Sequence, residues 1–187
     1  MTTSTERSAD RPTAASLHDD THTDDPRFAM LEDQRLTAMG LLVETFAGIH
    51  ERTDRGLERA GLGNSSWEVM IRLARSPGRR LRMTELAMQS TLTSSGLTRM
   101  VDRLSKVGWV ERVPCSTDRR GWYATLTDDG LEQVFAALPD HLQTVEESFT
   151  GLLDPEALES LILSLRALRA VVRPGSDPIV AAGAGST

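Results

Sequence analysis

A chain of 187 residues, 39% hydrophobic but only 4% aromatic, fits one domain with appendages or two small domains, with a core of Leu, Val, Ile, Ala and Met. It holds no apolar run long enough for a transmembrane helix, and its single cysteine, Cys115, excludes an internal disulfide framework and a multi-cysteine zinc site. The net charge of −6 argues against a nucleic-acid partner until it is divided along the chain: residues 64–127 carry eleven Arg and Lys against five Asp and Glu, the rest ten against twenty-two, and a polyanion responds to the face it meets.

Residues 1–26 are rich in Thr, Ser, Asp and Ala and lack the basic start and apolar run of a signal peptide, so they read as a disordered tail on a cytoplasmic protein. His18 and His22 sit in that acidic tail and are not read as a metal site. Phe28, Leu31, Met39, Leu42, Phe46, Ile49 and Leu57 then recur at helical spacing and predict a long first helix that ends near Gly61 and Gly63. Ser65 and Glu68 have the spacing of a capping box, opening a second helix with Trp67, Met70, Ile71 and Ala74. Ser76-Pro77-Gly78 stops it. Leu81–Met83 suits a short strand, and Thr84 is placed to cap a brief helix bearing Leu86 and Ala87 that ends around Ser90.

Thr93 is a good N-cap, and Leu92 before it can staple against Leu97. Leu97, Met100, Val101, Leu104 and Val107 then form one apolar stripe, closed by Gly108. Opposite it lie Ser94, Ser95, Thr98, Arg99, Asp102, Arg103 and Lys106. Two strands follow, Trp109–Val113 and Trp122–Thr127, joined by a polar hairpin with Arg119 and Arg120 near its tip. Thr127 caps the next helix, with Asp128 and Asp129 in its first turn and a bend expected at Pro139. Asp154-Pro155 opens the last helix, and residues 174–187 read as a flexible tail.

Short helix, turn, helix and hairpin is the order of a winged helix-turn-helix, whose second helix enters the major groove with its N-terminal residues at the base edges. A helix in that position needs small polar residues where it approaches closely and long basic ones at its flanks. Ser94, Ser95, Gly96 and Thr98 supply the first kind, Arg99 and Arg103 the second, and Thr93 at the helix start is counted with them as a DNA contact. Arg119 and Arg120 at a hairpin tip suit the adjacent minor groove, where negative potential attracts guanidinium groups. Taken singly, each residue also has an ordinary use, in capping or on a solvated turn; their order along the chain carries the reading.

The run from Asp118 through Arg120, Leu126 and Thr127 to Gly130 matches the D-x-R-x5-L-T-x2-G wing signature, and Gly96–Leu104 with Gly108-Trp109-Val110 resembles the recognition helix and first wing strand, of the MarR family. The resemblance covers about residues 30–172. It implies a mainly α domain at 27–173: a winged module at about 64–127, flanked by dimerisation helices at about 28–60 and 128–172. It also implies a homodimer on a pseudo-palindromic double-stranded operator, acting as a repressor. The apolar stripes of the outer helices agree with dimerisation, since a module of about sixty residues cannot cover them alone; packing within one chain is the alternative. By resemblance Asp118 holds the wing's shape by pairing with an arginine, Arg120 on the motif, leaving Arg119 for DNA.

Family members commonly release DNA on binding small aromatic or phenolic acids, in a pocket between the dimer helices and the winged module. His50, Trp67, Met70 and Arg72 are the candidates here, although Trp67 and Met70 also fit core packing. His50 and His141 meet only if their helices pack together. Cys115, near Arg112, Arg119 and Arg120, raises a redox alternative, but the hydroperoxide-sensing branch uses a cysteine near its first helix, where this chain has none. The chain lacks a Walker loop, a G-x-S-x-G elbow and an H-E-x-x-H pair, so neither an enzyme nor a cofactor is expected. A winged helix used for protein contact is the remaining alternative.

Overall fold

The computed structural model describes residues 27–115, 118 and 121–174; the expected tails, apart from Pro174, and residues 116, 117, 119 and 120 of the wing lie outside the described residues. In chain order come α1 (Gln34–Arg59), α2 (Asn64–Ala74), β1 (Arg80–Arg82), α3 (Met83–Gln89), α4 (Ser94–Lys106), β2 (Val110–Pro114), β3 (Trp122–Leu126), α5 (Asp128–Ser148) and α6 (Pro155–Val172). This is a mainly helical chain with one small antiparallel sheet, ordered β1-β3-β2. None of the described helices is long and apolar enough to cross a membrane.

The structure separates into two units between Thr45 and Phe46, inside α1. In the described part of the first unit, the helix expected from Phe28 begins only at Gln34, after a 3-10 turn at Phe28–Met30. The local reason is Asp33, whose carboxylate accepts the Arg35 backbone N–H at 2.8 Å and so satisfies a donor of the first turn. Leu36, Met39, Leu42 and Val43 on this stretch are exposed.

The second unit contains the core. Leu57 of α1, Trp67, Val69, Met70 and Leu73 of α2, Leu86 of α3, Leu97, Val101 and Leu104 of α4, Val110, Ala124 and Leu126 of the sheet, and Val134 and Ala137 of α5 form one buried cluster. The expected apolar stripe of α4 is therefore its inward face, though Val107 at its end is exposed. Two expected helix starts are corrected. Ser65 and Glu68 form no capping box: α2 is entered through Gly63, and its first N–H is satisfied from a distance by Asp54 of α1, at 2.9 Å. Thr84 lies inside α3, whose N-cap is Arg82, with Glu85 accepting the Arg82 N–H at 3.0 Å. The strand before it runs Arg80–Arg82, one residue earlier than expected.

The other caps are as expected. Thr93, Thr127 and Asp154 each accept an N–H three residues on, from Gly96 at 3.1 Å, Gly130 at 3.0 Å and Ala157 at 2.8 Å. Thr127 does more, because its hydroxyl also donates to the Gly108 carbonyl at 2.7 Å, which ties the end of β3 to the turn after α4. Gly130 completes the joint: a Cβ there would stand 2.1 Å from the Trp109 carbonyl oxygen. The L-T-x2-G part of the wing signature is thus a close approach of α5 to the start of the wing, with Leu126 in the core. Helix α5 continues through Pro139 to Ser148, and a 3-10 turn at Thr150–Leu152 leads to α6, which buries no residue.

Candidate nucleic-acid interface

With Leu97, Val101 and Leu104 inward, the period of 3.6 residues places Ser95, Arg99, Asp102 and Lys106 along the outermost ridge of α4. Thr93, Ser94, Ser95, Thr98 and Arg99 are all exposed, and together they form one polar surface around the first turn of the helix. Thr98 donates its hydroxyl to the Ser94 carbonyl at 3.0 Å, and Thr93 and Ser95 hydroxyls lie 3.3 Å apart. Arg99 has neither an ion pair nor a hydrogen bond among the described residues, so its guanidinium stands available above the ridge. Asp102 is neutralised by Arg112 of β2 at 3.1 Å, which also fastens the wing strand to α4.

Arg103 is exposed like Arg99, and it also reaches toward α2: Nη2 donates to Ser66 Oγ at 2.9 Å and lies 3.2 Å from Met100 Sδ. It braces α4 against α2. Ser66, which supplies that anchor, was not singled out in the sequence.

At the wing base Arg82 gathers several partners. One of its Nη atoms is 3.5 Å from Asp118 Oδ2, the other is 3.3 Å from Cys115 Sγ, and the guanidinium sits over the Tyr123 ring at 5.7 Å. The Tyr123 contact and the neighbouring Cys115 raise its pKa further above the working range. Asp118 therefore does pair with an arginine, and the one described is Arg82; Arg120, the partner expected from the motif, lies outside the described residues, as does Arg119. The Asp118 carbonyl also accepts the Gly121 N–H at 2.9 Å, closing the hairpin. A cleft of about 240 Å³ opens here, lined by Thr98, Arg82, Arg112, Asp118 and Trp122 among others. Cys115 is buried beneath, which screens its thiol from solvent oxidants.

The turn between α3 and α4 is held by a residue the sequence assigned elsewhere. Glu68 of α2 accepts the Thr91 N–H at 2.8 Å and the Thr91 hydroxyl at 2.7 Å, and Arg72 donates to the same carboxylate at 2.9 Å. Arg72 is thus part of this anchor. Met70 has no exposed surface, and Trp67 is buried with its ring 4.6 Å from that of His141. His50 belongs to the α1–α2 corner, next to Phe46 at 5.5 Å between ring centroids, and its carbonyl accepts from Asn64 at 3.1 Å. His50 and His141 therefore have different neighbours. A polar cleft of about 670 Å³ between α1 and α5, lined by Arg52, Arg59, Asp140 and Glu147 among others, has no aromatic side chain. No group of three or more metal-ligating side chains occurs among the described residues.

The sequence pattern of the MarR family matches residues 62–121, the stretch that holds α2, α3, α4 and most of the wing. Sco3205 from Streptomyces coelicolor, a MarR family transcriptional regulator solved in complex with DNA, is 37% identical; the match covers 81% of this chain and 94% of that one, with a TM-score of 0.70. The chain belongs to the MarR family. AbsC, another MarR family regulator from the same organism, is 30% identical over 75% of this chain and 95% of its own, again with a TM-score of 0.70. The HTH-type transcriptional regulator YkoM of Bacillus subtilis is 26% identical over 144 residues, which cover 75% of this chain and 91% of that protein. This MarR-family chain is accordingly a DNA-binding transcriptional regulator with a winged helix-turn-helix fold.

Proposed function

We propose that the protein is a homodimeric repressor that lays α4 in the major groove of each half of a pseudo-palindromic site. The observation that carries this is the exposed first turn of α4, where Thr93, Ser94, Ser95, Thr98 and the unpartnered Arg99 form one polar face above a fully buried apolar one. The hydroxyls and helix N-terminus suit phosphate oxygens, and Arg99 suits a guanine edge. Arg119 and Arg120 are assigned to the minor groove on sequence alone. Arg103, exposed on α4 with Arg99, belongs to the same set of contacts and also braces α4 against α2. Dimerisation is supported by α6, whose Ile162, Leu163, Leu165, Leu168, Val171 and Val172 are exposed on a helix with no buried residue, a surface a soluble monomer does not leave uncovered.

Release by a small aromatic or phenolic acid belongs to the same proposal. It is supported by the Trp67–His141 ring pair and by His141 Nδ1, which is buried without a hydrogen-bond partner among the described residues.

The test is a titration of purified protein against the DNA upstream of its own gene. Binding should weaken steeply with salt, because phosphate neutralisation releases counterions. Arg99→Ala should lower affinity by about ten- to a hundredfold and relax the preference at one base pair per half-site. A monomer with no preference for any duplex at low ionic strength would leave the winged helix as a protein-contact module and overturn the proposal.

A further inference from the structure

We infer that Arg173 is a positioning residue for DNA binding: it locks the end of α6 onto the helix-turn-helix and so sets the angle of α4. This rests on the reading of α4 as the groove-entering helix. Arg173 is the C-cap of α6, and its Nη2 donates to the Ser90 carbonyl at 2.7 Å and to the Met88 carbonyl at 3.3 Å. Both acceptors belong to the C-terminal end of α3, where the last carbonyls have no helical partner and a cation is favoured by the helix dipole. Ser90 is itself fully buried, so its carbonyl has little alternative in water.

The next residue, Thr91, is held from the opposite side by Glu68 of α2 through its N–H and its hydroxyl. Two residues further on, Thr93 starts α4. The turn that aims α4 is thus fixed by a carboxylate on its donors and a guanidinium on its acceptors, with no slack in between. The carboxylate comes from inside the winged module. The guanidinium comes from α6, the helix with no buried residue of its own, so any shift of α6 is passed to the turn through Arg173.

The experiment compares Arg173→Ala and Arg173→Lys with the full-length protein, on the same upstream DNA. Arg173→Ala should bind about tenfold more weakly, because α4 is no longer held at its angle before it meets DNA, with the dimer mass unchanged and the urea midpoint lowered only as far as the loss of these hydrogen bonds requires. The slope of log affinity against log salt should stay at its wild-type value, because Arg173 neutralises no phosphate; a direct phosphate contact would lower it by about one. Arg173→Lys keeps a donor of the same charge and should recover most of the affinity. Amide exchange at residues 91–96 should speed up in Arg173→Ala and in Arg173→Lys stay near wild type. Wild-type affinity in Arg173→Ala, or a lowered salt slope, overturns the inference. If the wild type itself binds no DNA, the function proposed above has failed, and unchanged exchange at residues 91–96 in Arg173→Ala then separately refutes the clamp.

Discussion

Helices α4 and α6 carry apolar stripes of similar density, Leu97, Val101 and Leu104 on one and Ile162, Leu165 and Leu168 on the other. The first three are at most 1% exposed, whereas the second three are at least 40% exposed. Helix α5 changes from one condition to the other along its length, with Val134 and Ala137 buried near its start and Leu142 exposed further on. Amphipathic spacing establishes that a helix has a face to bury and leaves open what will cover it. In the winged module the cover is supplied by neighbouring elements of the same chain, and its polar ends are satisfied there too. For α6 it is left to another surface.

That contrast breaks most visibly at α6. Replacing Leu165 and Leu168 together by Asp removes about 2 kcal/mol of burial per side chain, counted in both copies of the proposed dimer, and should turn that dimer into a monomer in sedimentation experiments. The winged module should remain folded by near-ultraviolet circular dichroism. A variant that stays dimeric would place the interface elsewhere. The next largest effect lies inside the module. Ala is ordinarily better than Gly within a helix, yet Gly130→Ala should cost about 3 kcal/mol or more in urea unfolding, since the new methyl overlaps the Trp109 carbonyl. Gly48→Ala in α1 meets nothing within 4 Å and should instead stabilise by up to about 1 kcal/mol. Equal signs at the two sites would show that the joint between α5 and the wing relaxes freely.

The winged order of elements was legible because its signals are local. Thr93, Thr127 and Asp154 each cap a helix by reaching an amide three residues away, a relation visible in the sequence itself. The starts of α2 and α3 were misread where the satisfying group is distant or unusual: Asp54 caps Asn64 from another helix, and Arg82 stands where Ser, Thr or Asp is expected. Glu68 looked like a capping-box acid because Ser65 precedes it by three, but its partner is Thr91 across the fold. Arg103 is exposed, as its type and charge suggest, but its hydrogen bond to Ser66 of α2 was not legible. Nothing in the sequence pairs Arg173 with Ser90, or Arg82 with Cys115, because such contacts depend on the packing of elements far apart in the chain.

The smallest expected effect sits on α5 just where burial gives way to exposure. His141 lies against Trp67 with the two rings tilted, and burial holds its imidazole below the ordinary histidine range. Because the folded-state pKa lies below that of the unfolded chain, the unfolded state binds more protons between the two values. Stability from this group is therefore complete above the unfolded pKa of about 6.5 and is lost as pH falls through that value to the folded one. The urea midpoint should drop between about pH 7.5 and about pH 5, and His141→Phe, which keeps an aromatic ring against Trp67, should remove part of that drop. An identical pH dependence in the variant would show that this end of α5 opens to water before it unfolds, and would move the boundary between the internally covered and uncovered parts of the helix toward Ala137.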